Sequence, residues 1–165
     1  MIVIKGDLLE SPVQIIAQQV NCKGVMGAGI AKQIRNKYPN IYEPYKHTCE
    51  NNIGDTSNLL GSYDYVPIYK SKFVVERIVL NLYAQDGYGR NGLYTDYTVF
   101  DKAMRGSISA VRNHYFKTDC CQLVIGIPYG IGCGLAGGDW ETMTTLLNKI
   151  EKEENVLFIA HKWEG

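Results

Sequence analysis

The chain has 165 residues, with 17 basic and 17 acidic side chains, so its formal net charge is zero. That balance excludes a global field drawing it onto nucleic acid or an anionic membrane, and any bound anion has to be gripped by local groups. With 45% hydrophobic and 21% charged residues, the composition is that of a soluble globular protein, and the length suits one domain over residues 1–165.

Met1–Ile4 is a short apolar run closed by Lys5-Gly6-Asp7, a first strand ending in a turn. Val13–Val20 reads as a second strand that stops at Asn21-Cys22-Lys23-Gly24. From Ala28 onward, Ile30, Ile34 and Tyr38 recur at helical spacing until Pro39 ends the helix, and a second helix covers Tyr42–Glu50. Leu60–Pro67 and Val74–Tyr83 carry the β-branched and aromatic residues of strands. A polar, glycine-rich stretch then runs to Tyr97, and Val99–His114 returns to helical spacing with Phe100, Ala103, Ile108 and Val111 facing the core. Leu123–Pro128 is the apolar kind of strand buried in a parallel sheet. A helix over Trp140–Lys152 and a strand over Val156–Ala160 complete the chain. Strands alternating with helices predict a three-layer α/β/α fold with a mixed, centrally parallel sheet.

Two glycine clusters, Gly24–Ala31 and Tyr129–Gly138, each follow a strand and precede a helix. In such sheets that is the edge where ligands bind. Glycines let backbone approach a ligand closely, and a helix N-terminus favours phosphate. Two such cradles at one sheet edge suit a diphosphate bridging them. Neither is a standard motif: no Walker A sequence is present, and the first loop lacks the Rossmann GxGxxG spacing.

Gly6-Asp7, then Val20-Asn21 with the run Met26–Ala31, then Gly130–Trp140 resemble the macrodomain family over essentially the whole chain. The similar branch contains yeast ADP-ribose-1''-phosphate phosphatase, the terminal ADP-ribose glycohydrolase and DNA ADP-ribosylation antitoxins. The resemblance implies a site for ADP-ribose or a derivative. In it Asp7 accepts a hydrogen bond from the adenine amino group and Asn21 contacts the distal ribose. Gly27, Ala28, Gly29 and Ile30 give backbone to the diphosphate and distal ribose, and Gly132, Cys133, Gly134 and Leu135 close over it from the other side.

The catalytic residues of the branch are incompletely matched. The glycohydrolase lysine has no counterpart in Asn81–Gly89, its aspartate is replaced by Ala136, and Lys23 stands where the yeast phosphatase has a histidine. For an enzyme, the residues left are Asp139 to orient or deprotonate a water, Asn21 to fix ribose hydroxyls, and Lys23 to stabilise a 1''-phosphate. Structural readings stand beside these: Asp139 as a helix cap, Lys23 as a solvated loop residue, Asp7 as a turn residue. The stretch 85–96 offers Tyr88, Arg90 and Tyr94 to a ligand. His47, His114 and His161 fall where no general base is needed.

Two functions follow. One is a hydrolase acting on ADP-ribose-1''-phosphate or on ADP-ribosylated protein or nucleic acid; the other is a non-catalytic ADP-ribose reader or nucleotide-signal sponge. The five cysteines form no CxxC pair and have no histidine at metal-ligand spacing, so they read as reduced, mostly buried thiols, and Cys133 as a small loop residue and not a nucleophile. The N-terminal apolar run is too short for a signal peptide, and no run reaches the ~20 residues of a membrane span. The expectation is a cytoplasmic monomer without cofactor or metal.

Overall fold

A computed structural model of the chain describes residues 1–89, 92–116 and 121–164, so Arg90 and Cys120 lie outside the described residues. The elements in chain order are β1 (Ile2–Lys5), β2 (Ile15–Asn21), α1 (Gly29–Lys37), a 3-10 turn (Pro39–Ile41), α2 (Tyr42–Glu50), β3 (Tyr63–Ser71) and β4 (Val74–Gln85). There follow α3 (Tyr97–Val111) with a π turn (Arg112–Phe116), β5 (Leu123–Pro128), α4 (Trp140–Glu154) and β6 (Val156–Lys162).

One six-stranded sheet has the order β1-β6-β5-β2-β4-β3. All neighbours pair parallel except β3, which runs antiparallel to β4 at one edge. The predicted mixed, centrally parallel α/β architecture is therefore the one observed. One face carries α3 and α4, which bury Phe100, Met104, Met143 and Leu147 against Leu80, Ile125 and Phe158. The other carries α1 and α2, which place Ile34, Tyr45 and Cys49 over Ile16, Val79 and Tyr83. Each large apolar side chain so buried contributes roughly 1.5–3 kcal/mol.

Element boundaries moved for local reasons. The third strand begins at Tyr63 and not Leu60, because Ser62 N donates to Leu59 O (2.8 Å) and closes a turn there. Helix α3 begins at Tyr97 because the Asp96 carboxylate accepts from Val99 N and caps it. The apolar strand β5 is buried as expected except at Val124, 38% exposed, and at the half-buried Pro128. Because β1, β6, β5, β2 and β4 are parallel, their C-terminal ends share one edge of the sheet. The segments after β1, β2, β4 and β5 all emerge there. No helix among the described residues is long and apolar enough to cross a membrane.

Candidate functional site

At that shared edge lies a cleft of about 510 Å³, walled by the segment after β2 on one side and by the segment after β5 on the other. The end of β4 and the start of the 85–96 segment close one end, with Tyr88 and Gly89 in the lining.

The first wall is organised by Asn21, which is only 6% exposed. Its Oδ1 accepts from Lys23 N (3.0 Å) and Val25 N (3.2 Å), and its Nδ2 donates to Val25 O (2.7 Å). From below, the Tyr45 hydroxyl lies 2.8 Å from Asn21 O and 3.0 Å from its Oδ1. Burial pushes the Tyr45 pKa up, so this hydroxyl stays a neutral donor. The loop held in this way delivers the chain to α1, whose cap residue Ala28 has no side-chain hydrogen bond to the helix. The first intrahelical bond runs from Lys32 N to Ala28 O (3.2 Å), so the N–H groups of Gly29, Ile30 and Ala31 have no acceptor within the helix. All three residues line the cleft.

The second wall is built from backbone turns: Cys133 N donates to Gly130 O (2.8 Å), Gly137 N to Gly134 O (3.0 Å) and Gly138 N to Gly132 O (2.9 Å). Two positions require glycine. Gly132 has φ +73°, and a Cβ there would stand 2.6 Å from Gln19 Oε1. Gly137 also has φ +73°, and its Cβ would stand 2.3 Å from the carbonyl oxygen of Gly92. The segment ends in α4, and here the N-terminus is closed: Asp139 Oδ2 accepts from Thr142 N (2.7 Å) and from the Thr142 hydroxyl (2.8 Å). Those bonds hold the Asp139 carboxyl below the usual range, so it is ionised and committed to its helix.

The floor is polar and uncharged. Gln19 Nε2 donates to Gln85 Oε1 and to Thr95 Oγ1, each at 2.8 Å, and Thr95 Oγ1 donates to Gly132 O (2.5 Å). Tyr94 N and Thr95 N both donate to Ala136 O, which ties the 85–96 segment to the second wall. No Asp, Glu, Lys, Arg or His is among the described residues that line the cleft.

Among the sequence-predicted residues, Asn21, Gly27, Ala28, Gly29, Ile30, Gly132, Gly134 and Leu135 come together around this cleft. Four do not line it. Asp7 sits at the same edge, after β1, with its Oδ1 accepting from Leu9 N (2.8 Å) in a local turn. Lys23 pairs with Asp86 (3.2 Å) where both side chains are about half exposed. Asp139 is the α4 cap just described, outside the lining. Cys133 turns its thiol toward Ile131 O (3.4 Å), and burial pushes its pKa up to about 11, which leaves it protonated at neutral pH. Of the two segments read as phosphate cradles, the one after β2 leads into a helix without a side-chain cap bond and the one after β5 into a helix capped by Asp139. Gln19, Gln85 and Thr95 were missed. The signal available was Gln18-Gln19 interrupting an otherwise apolar strand.

No family model matches the chain. The chain is 30% identical over 164 residues to the ADP-ribose 1''-phosphate phosphatase of Debaryomyces hansenii, covering 88% of this chain and 91% of that protein. The macrodomain of Mycobacterium tuberculosis DarG superposes with a TM-score of 0.70 at 22% identity, over 94% of this chain and 93% of that one. Thermosipho africanus DarTG, solved in complex with ADP-ribose, superposes with a TM-score of 0.73 at 17% identity, over 98% of this chain and 41% of that one.

Proposed function

The chain belongs to the macrodomain family, and from that premise we propose that its cleft binds ADP-ribose and that the protein hydrolyses a group from the distal ribose, as an ADP-ribose-1''-phosphate phosphatase or an ADP-ribosyl hydrolase. The observation that carries the reading is the uncapped N-terminus of α1, whose Gly29, Ile30 and Ala31 line a cleft with no acidic side chain among its described lining residues. Aligned peptide dipoles and unpaired N–H groups stabilise a diphosphate there without any lysine or arginine. The order of the strands supports a direction for the ligand. Neighbouring parallel strands lie about 4.8 Å apart, and Asp7 follows β1 while the α1 N-terminus follows β2, three places along the sheet. Adenine belongs at the Asp7 end, the diphosphate between the walls, and the distal ribose over Gln19, Gln85 and Tyr88 at the β4 end. Gly27–Ile30 then serve the diphosphate from one side, and Gly132, Gly134 and Leu135 from the other.

In this pose Asn21 acts by shaping the first wall beside the distal ribose. Lys23 is paired with Asp86, and Asp139 holds Thr142 through Oδ2, which leaves Oδ1 as the oxygen able to act on a water. Turnover of ADP-ribose-1''-phosphate, ADP-ribosylated protein and ADP-ribosylated DNA, measured beside calorimetric titration with ADP-ribose, tests the reading. We expect micromolar binding and release from at least one substrate. A protein that does not bind ADP-ribose overturns it. The uncharged lining favours a second reading, a non-catalytic reader, and binding without turnover on all three substrates would select that one.

A further inference from the structure

The side chain that ties the floor of the cleft together carries an atom with no partner. Gln19 Nε2 spends both hydrogens, one on Gln85 Oε1 and one on Thr95 Oγ1. Gln85 cannot turn its amide over, because its own Nε2 donates to Gly87 O (2.9 Å). Thr95 cannot donate back, because its hydroxyl hydrogen goes to Gly132 O. The Gln19 amide is therefore oriented by its neighbours, and its Oε1 is buried without a hydrogen-bond partner, directed at Gly132. A buried acceptor left unpaired costs free energy of folding. An apolar side chain of the same length would remove that cost. Gln85 lines the cleft, where its Oε1 can accept from water, and the buried Thr95 hydroxyl keeps its donation to Gly132 O. What the amide does that an apolar side chain cannot is bond the end of β4, at Gln85, to Thr95, whose hydroxyl carries the link on to Gly132 in the second wall.

We propose that Gln19 is a positioning residue that holds the distal-ribose end of the cleft in register, at the expense of folding stability. This rests on the reading of the cleft as an ADP-ribose site. With the diphosphate at α1, Gln19 and Gln85 lie under the part of the ligand that ADP lacks. Its contribution is therefore to the discrimination between ADP-ribose and ADP, and not to diphosphate binding.

The test is calorimetric titration of the intact protein with ADP-ribose and with ADP, beside thermal melts, for wild type, Gln19→Met and Thr95→Val. Gln19→Met is expected to keep or raise the melting temperature, to weaken ADP-ribose binding about tenfold, and to leave ADP binding within about threefold. Thr95→Val removes both the bond from Gln19 and the bond to Gly132 O, and gives a second reading if Gln19→Met fails to fold; about threefold weaker ADP-ribose binding is expected, again with ADP spared. Equal weakening of both ligands would show that Gln19 serves only the fold and overturns the proposal. So does unchanged affinity for ADP-ribose. A wild-type protein that binds neither nucleotide removes the parent reading as well, and that result is distinct from a wild type that binds while its variants do not discriminate.

Discussion

Two glycine-rich segments leave the same edge of the sheet and each runs into a helix, yet the two junctions end differently. At the first, Ala28 occupies the cap position of α1 in extended geometry (φ −147°, ψ 167°) with a side chain that bonds nothing in the helix. At the second, Asp139 occupies the cap position of α4 in similar geometry (φ −90°, ψ 128°) and its carboxylate takes up the Thr142 N–H. One helix offers its positive end to the cleft; the other has already neutralised it. Glycine content alone does not make an anion site, and the residue at the cap decides whether one exists. The second segment contributes as a wall of turns instead, tied through Gly132 and Ala136 to the rest of the cleft.

The sharpest way to break this contrast is to convert one junction into the other. Ala28→Asp places a carboxylate at a position whose backbone already suits a cap. It should weaken ADP-ribose binding on the order of 100-fold, about 2.7 kcal/mol, through lost N–H groups and charge repulsion. The same change should stabilise the fold by about 1 kcal/mol. Calorimetry and denaturant unfolding read the two effects separately, and undiminished affinity would mean that α1 is not the anion site.

Next in size is the wall itself. Gly137→Ala forces a left-handed backbone on alanine and sets its Cβ 2.3 Å from Gly92 O, so a loss of about 3 kcal/mol is expected in urea unfolding. Gly29→Ala also has positive φ (55°) but no heavy atom within 4 Å of the new Cβ, and should cost only about 1–2 kcal/mol. Equal losses at the two positions would undo the claim that the second wall is the closely packed one.

Asp139→Ala opens the second junction. It should lower the melting temperature modestly and leave ADP-ribose affinity within about threefold, since α4 faces the cleft with no lining residue. Loss of turnover with binding intact would instead place this carboxylate in the reaction.

The smallest effect is expected from pH. The Asp139 carboxyl is depressed below its ordinary 3.8 by Thr142. Its contribution to stability is therefore present above that value and lost as pH falls through the lower folded one. The two junctions keep their difference at every pH above that. With no carboxylate, histidine, lysine or arginine among the described lining residues, ADP-ribose affinity should vary by less than about twofold between pH 5 and 8. A titration step inside that interval, read by calorimetry, would point to an ionisable contact beyond the described lining.

Much of this was legible in the residues. The periodicity of Phe100, Ala103, Ile108 and Val111 placed α3 correctly, and all four are buried. The apolar run of β5 marked a strand inside the sheet, and the glycines on either side of the cleft marked the strand ends where a ligand fits. Strand limits near Leu60 were not legible, because a turn closed by Ser62 N and Leu59 O leaves no trace in hydrophobic spacing.

The sequence by itself determined the alternation of strands and helices, the positions of both glycine segments, and Asp139 as a helix cap. These are local properties, set by side-chain period, backbone freedom and turn chemistry within a few residues. Only the tertiary structure decided that the start of α1 lines the cleft while α4 contributes no residue to it. It also decided that Lys23 faces Asp86 and that Gln19 meets Gln85 and Thr95. Those partners are brought together by the strand order β5-β2-β4, and a pairing between residues 66 or 76 positions apart follows from how strands lie side by side, which no local pattern records.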